Sequence, residues 1–252
     1  MNKNLRSSES GSVIWFILLA VVLLGALTMT ISRSSDTVEQ SGDRERARVV
    51  ASEMMRYAKG IEQTISQMRM NGISENEISF ENSFVSGYEN ARCTSTSCLV
   101  FDEEGGGQTY REPATAWLDG AYNAEDHYET LLFTSNPCIP NVGNYGEPGN
   151  CAVDTSTLDL VLVIPFIKKS ICLEINRLVD LGVGGADPPQ DDSAAWDNSV
   201  ANARYTGTFN VGNNLQSAGG DLTSVSVGCF EGDTRPAGGY HFFHTLLARP
   251  GG

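Results

Sequence analysis

From Gly11 to Ile31 the chain reads GSVIWFILLAVVLLGALTMTI, a run without a single charged side chain. About 20 helical residues, rising roughly 1.5 Å each, match a hydrocarbon core of roughly 30 Å. The pattern therefore predicts a transmembrane helix over 12–33, in contact with lipid through 12–31. A cleaved secretory signal is the alternative, but its apolar region is typically about 7–15 residues and ends at small residues. This run is longer, and it passes into Arg33-Ser34-Ser35 with no A-x-A site. Lys3 and Arg6 on the short leading flank favour a cytoplasmic N-terminus, which puts the rest of the chain outside.

Between Ser35 and Met70 there is no proline, and the apolar positions change period. Val50, Met54, Tyr57, Ile61, Ile65 and Met68 recur at spacings of three and four, one stripe on a helix, with Arg46, Glu53, Lys59 and Glu62 among them as the more polar side. An amphipathic helix over 34–72 follows, closed at Asn71-Gly72, where glycine accepts the left-handed conformation of a helix end. Gly42 is a point where that helix could be interrupted, and Gly60 a kink or a close helix contact. Ser74-x-x-Glu77 has the spacing of a capping box for a short turn.

Beyond residue 72 the pattern breaks into short apolar runs separated by turn residues, a domain over 73–252. Cys98–Phe101 reads as a strand entering a loop, and Gly105-Gly106-Gly107 as a flexible hairpin connection, since it lacks the spacing of phosphate loops. Leu158–Ile167 is the densest apolar segment, too short to span a bilayer. Pro165 divides it, predicting a strand or turn before the proline and a helix from it, with Ile167, Ile171, Ile175 and Leu178 toward the core. Thr206–Val211, Leu222–Phe230 and Tyr240–Ala248 read as three further strands. The expected class is α+β: a long N-terminal transmembrane and amphipathic helix, then a small helix-plus-antiparallel-sheet domain with disulfides.

Charge and cysteines narrow the setting. The net charge is −14, and the first 33 residues carry Lys3, Arg6 and Arg33 against Glu9, so the acidic excess falls on the exported part. Such a body is repelled by phosphate backbones, which argues against nucleic-acid binding. All six cysteines lie beyond the apolar run, and none forms a C-x-x-C pair. That usage suits disulfides in an oxidising compartment rather than a metal cluster. Joining neighbours gives Cys93 with Cys98, Cys138 with Cys151 and Cys172 with Cys229, one of 15 connectivities that six cysteines allow.

A short basic leader ending in glycine, a charge-free helix, an amphipathic continuation and a disulfide-bearing domain together resemble a type IV pilin-like protein, a pilin or type II secretion pseudopilin. The resemblance implies leader removal between Gly11 and Ser12 (leader 1–11), methylation of the new N-terminus, and bundling of the apolar helices into a filament. Its implied partners are other pilin-like subunits and an ATPase-driven assembly machine of the inner membrane. The place implied is a single-pass inner-membrane protein with its C-terminal domain in the periplasm or in an extracellular filament. Phe16 stands at the fifth mature position, where most members carry a glutamate that pairs with a neighbour's N-terminus; some minor pseudopilins at the filament tip lack it too. Ser12 is a less typical first residue, and Glu9 beside the cut is unusual. The Cys172 and Cys229 positions are similar to the C-terminal disulfide loop of many pilins.

Pseudopilins often bind calcium in a surface loop, which makes Asp187, Asp191, Asp192 and Asp197 weak candidates, although they lack EF-hand spacing and read first as a solvated acidic loop. His241 and His244 are three apart in an expected strand, hence on opposite faces, and with only His127 besides them a zinc site is not expected. No G-x-S-x-G is present. No enzyme activity and no cofactor are expected. The expected function is a structural, minor filament subunit; the alternative is a non-assembling, membrane-anchored adhesin or envelope binding module.

Overall fold

The computed structural model describes residues 10–143, 158–182, 187–191, 204–209, 215, 217, 219–233 and 237–249; the side chains of 10–13 and 27–41 lie outside that description. The chain divides into two units, 1–46 and 47–252.

In the first unit the helix α1 (Ser10–Met70) begins, and the stretches 12–33 and 34–70 belong to this one helical element. Among the described residues no helix is long and apolar enough to cross a membrane. The described apolar side chains cover 14–26, roughly 20 Å of helix, and the remainder of the expected span lies outside the described side chains. From Ile14 to Leu24 ten large apolar side chains are solvent-exposed.

The second unit is an α+β domain built on the latter part of α1. Met54, Ile61, Ile65 and Met68 are buried as their spacing requires, with Ala47, Ala51 and Ala58 buried on the same helix, while Val50 and Tyr57 pack from the margin. Gly72, at φ +95°, ends the helix, and Ile73 N–H donates to Met68 O across that turn. The capping box then forms: Ser74 N–H donates to Glu77 Oε2 at 2.9 Å.

Among the described residues four strands follow: β1 (Leu132–Thr134), β2 (Leu160–Ile167), β3 (Val227–Glu231) and β4 (Tyr240–Leu247), with the helix α2 (Lys169–Leu178) between β2 and β3. They pair antiparallel in the order β1-β2-β4-β3, so the two long strands are central. Alternation decides the packing. Phe133, Leu162, Ile164, Cys229, Phe242 and Leu246 join one buried cluster with α1 and α2. Their neighbours Leu132, Val161, Val163, Phe230 and Phe243 join a second with the loop residues Ile139, Leu181, Leu215 and Leu222. The short edge strand β1 is sealed by side chains: Tyr88 Oη donates to Leu131 O and accepts from Phe133 N–H, both at 3.0 Å.

Several sequence expectations are corrected. Pro165 does not begin a helix; β2 runs through it. Proline has no N–H for the ladder, so the register with β4 slips between Ile164 and Ile167, Phe166 takes φ 58°, and pairing resumes at Ile167–Tyr240. Ile167 therefore belongs to the sheet, and Leu178 is exposed. The Cys98–Phe101 run is not a strand but a 3-10 turn with one parallel bridge, Ser79–Leu99. Gly105 and Gly106 are not merely flexible: a Cβ on either would collide with the carbonyls of Leu99 or Val100, against which this turn folds. Thr206–Phe209 is irregular, the rest of the expected strand to Val211 lies outside the described residues, and among those described the C-terminal strands are the two at 227–231 and 240–247.

Candidate functional site

The residues singled out from sequence fall in separate places. Gly11 and Ser12 lie within α1, their side chains outside the described set. Phe16 is 68% exposed among its apolar neighbours. Cys93 is bonded to Cys98 and Cys172 to Cys229. Cys138 is disulfide-bonded too, and Cys151 lies outside the described residues. Asp187 is exposed and ion-paired with Lys169, whereas Asp191 is buried and its N–H donates to Glu231 O. Asp192 and Asp197 lie outside the described residues. Among the described residues no group of three histidine, cysteine or acidic side chains could hold a metal ion.

His241 and His244 sit on opposite faces of β4. His241 packs between the rings of Phe166 and Phe230, and burial pushes its imidazole down to about 3. His244 faces α1, 2.7 Å from Glu62 Oε2. Burial lowers its pKa against the opposing pull of Glu62, so the ring is neutral at pH 7 and donates its Nε2–H to that carboxylate. The Glu62 carboxyl, pushed up by burial, is held below its ordinary value by bonds from Lys59 and His244. Glu62 was assigned to the polar side of the helix stripe; nothing in its spacing announced a partner 182 residues away.

The structure also assembles a groove that no sequence motif announced. On α1, Glu53, Arg56, Tyr57 and Gly60 share one face. Opposite them, 107–111 is latched to the helix by three bonds. Tyr57 Oη donates to Thr109 O at 3.1 Å and accepts from Arg111 N–H at 3.2 Å, and Gln108 Nε2 donates to Thr64 Oγ1 at 2.7 Å. Burial pushes the Tyr57 phenol up to about 12, so it stays protonated and keeps donating. Trp117 forms one wall; Lys168 N–H donates to its carbonyl at 2.9 Å, just past the bulge in β2. Leu131 and Ile164, both buried, form the floor. The volume of this open groove is about 310 Å³. The groove thus joins an apolar floor and two aromatic rings to a charged rim, an arrangement suited to binding. No known protein family, characterised protein or solved structure matches the chain.

Proposed function

We propose that the chain is a membrane-anchored, pilin-like structural subunit that occupies a minor, initiating position in a type IV pilus-like or pseudopilus filament. The observation that carries this reading is the run of ten large apolar side chains, Ile14 to Leu24, that α1 leaves 45–68% exposed. It lies inside the charge-free stretch of 11–31. Full burial of one such side chain contributes about 1.5–3 kcal/mol, so leaving ten in water forgoes on the order of 10 kcal/mol. Lipid, followed by the packed helices of a filament, is the environment that recovers it. The two disulfides and the disulfide-bonded Cys138 fit an exported domain.

Phe16 sets the position within the assembly. It offers no carboxylate to a neighbour's N-terminal amine, while the amine of this chain could still be accepted by another subunit's glutamate. A subunit of that kind suits a tip. The test is the intact mass of the mature protein: loss of residues 1–11 and one added methyl group are expected, and Gly11→Val should prevent both. A mature chain that still starts at Met1 removes the reading. Expressed alone with the assembly machinery, the protein should form no long filaments; abundant homopolymer would overturn the minor role.

A non-assembling anchored binding module is the second reading, favoured by the groove over Tyr57 and Trp117. Retention of the leader together with a bound partner would select it.

A further inference from the structure

We infer that the groove between α1 and the 107–117 segment is a binding site for a carboxylate carried on a flat apolar group. This does not depend on the filament reading. Its volume of about 310 Å³ lies at the lower end of ligand pockets, which run from about 300 to 1,000 Å³.

Charge is the first argument. The chain has 31 acidic side chains against 17 basic ones, so a guanidinium without a carboxylate is unexpected. Arg46, Lys59, Arg69, Lys169, Arg177 and Arg249 each pair with one. Arg48, Arg92, Lys168, Arg204, Arg56 and Arg111 form no ion pair among the described residues, and of these Arg56 and Arg111 line the groove. Arg111 is moreover fixed in place: its N–H donates to Tyr57 Oη, and its guanidinium stands 6.0 Å from the Tyr57 ring centroid. A planar guanidinium recognises a carboxylate through paired N–H bonds. Glu53 leaves the lining one positive charge in excess and offers an acceptor to a donor group on the ligand.

Shape is the second. Gly60 lies inside a helix, where glycine is unfavourable relative to alanine. Its φ is ordinary, and a Cβ there would meet only Gln108 Oε1, at 3.8 Å. The fold does not require glycine at this position; its missing side chain keeps the groove open above Leu131 and Ile164. Trp117 and Tyr57 present aromatic surface to whatever enters, which favours a flat ring. The carboxylate could belong to a free aromatic acid or to the C-terminus of a peptide, and the two sources share this chemistry.

Full-length protein in non-ionic detergent, ¹⁵N-labelled, is titrated with phenylacetate, with its neutral amide phenylacetamide, and with the peptide acetyl-Gly-Gly-Phe. Phenylacetate or the peptide should shift the amides of Gly60, Gly107 and Gln108, and phenylacetamide should bind at least about tenfold more weakly. Tighter binding of the peptide than of phenylacetate assigns the source as a polypeptide; the reverse assigns a small acid. Arg56→Gln with Arg111→Gln, which keeps the Arg111 backbone bond, should lower affinity by about tenfold or more. Gly60→Leu should abolish binding, and Gly60→Ala, for which there is room, should weaken it should the leucine variant not fold. Equal affinity for acid and amide, an unchanged affinity in the arginine pair variant, or no shift at those amides overturns the proposal.

Discussion

Asn176 shows how much one side chain can hold. Its Nδ2 donates to Cys229 O and its Oδ1 accepts from Cys229 N–H, both at 2.8 Å. The amide thus mimics a neighbouring strand for one residue of β3. It stands one helical turn after Cys172, which is bonded to the same cysteine. Asn176→Ala leaves a buried N–H and C=O unsatisfied, each costing about 1–3 kcal/mol. The expected loss is about 2–5 kcal/mol in urea unfolding, with the disulfide intact by thiol titration. Sequence pattern could not reveal this residue, because an asparagine in a helix gives no period and its partner is a backbone far along the chain. The same holds for Tyr88, which seals β1, and for His244, whose bond to Glu62 crosses between α1 and β4.

At the scale of elements, the two described bridges differ in what they constrain. Cys172–Cys229 joins α2 to β3 across a separation of 57 residues, whereas Cys93–Cys98 closes a separation of 5. The chain-entropy model assigns them about 4 and about 2 kcal/mol. Cys172→Ser should therefore lower the denaturation midpoint more than Cys93→Ser, measured on the purified oxidised proteins. Helices were legible because their signals are local: the stripe from Val50 to Met68, the stop at Gly72 and the capping box at Ser74 all lie within a few residues of what they specify. The strand at 160–167 and its partner at 240–247 were legible as apolar runs. What failed was Pro165, read as a helix start. A proline satisfies a helix N-terminus and a β-bulge equally well, and only the pairing partner Tyr240 distinguishes them. The groove was illegible for a different reason: its lining comes from α1, the 107–117 segment, Leu131 and β2, and no stretch of chain contains it.

For the domain as a body, acidity is the informative stress. Burial holds His241 and His244 below their ordinary pKa, so as pH falls through about 6.5 the unfolded chain takes up protons that the folded one refuses, and stability is lost. Asp159 works in the opposite sense. Buried, and accepting from Ile139 N–H and Arg249 N–H, it is pushed up to about 7. Its contribution is present at acid pH and is lost as pH rises through about 7. His241 and Asp159 oppose each other over much the same range and His244 adds to the loss, so net stability should decline from about pH 6.5 downward. His241→Phe should flatten that decline by a few kcal/mol down to about pH 3, read from urea midpoints at a series of pH values. An unchanged slope would show that His241 is not the group responsible.

The position of β4 at the centre of the sheet has a consequence for how the chain reaches this state. It pairs with both β2 and β3, and His244 meets Glu62 on α1. Among the described strands it is also the last to be synthesised. Until it arrives, β2 lacks one neighbour, β3 has no partner strand, and the stripe from Met54 to Met68 lacks the Phe242 and Leu246 side chains of its cluster. Non-local closure of this kind is slow, because loop entropy is lost before contacts form. The nascent domain therefore presents unpaired strand edges and an uncovered helix for the whole time between synthesis of the stripe and arrival of Leu247. That interval, rather than the finished fold, is when a holding chaperone would matter most.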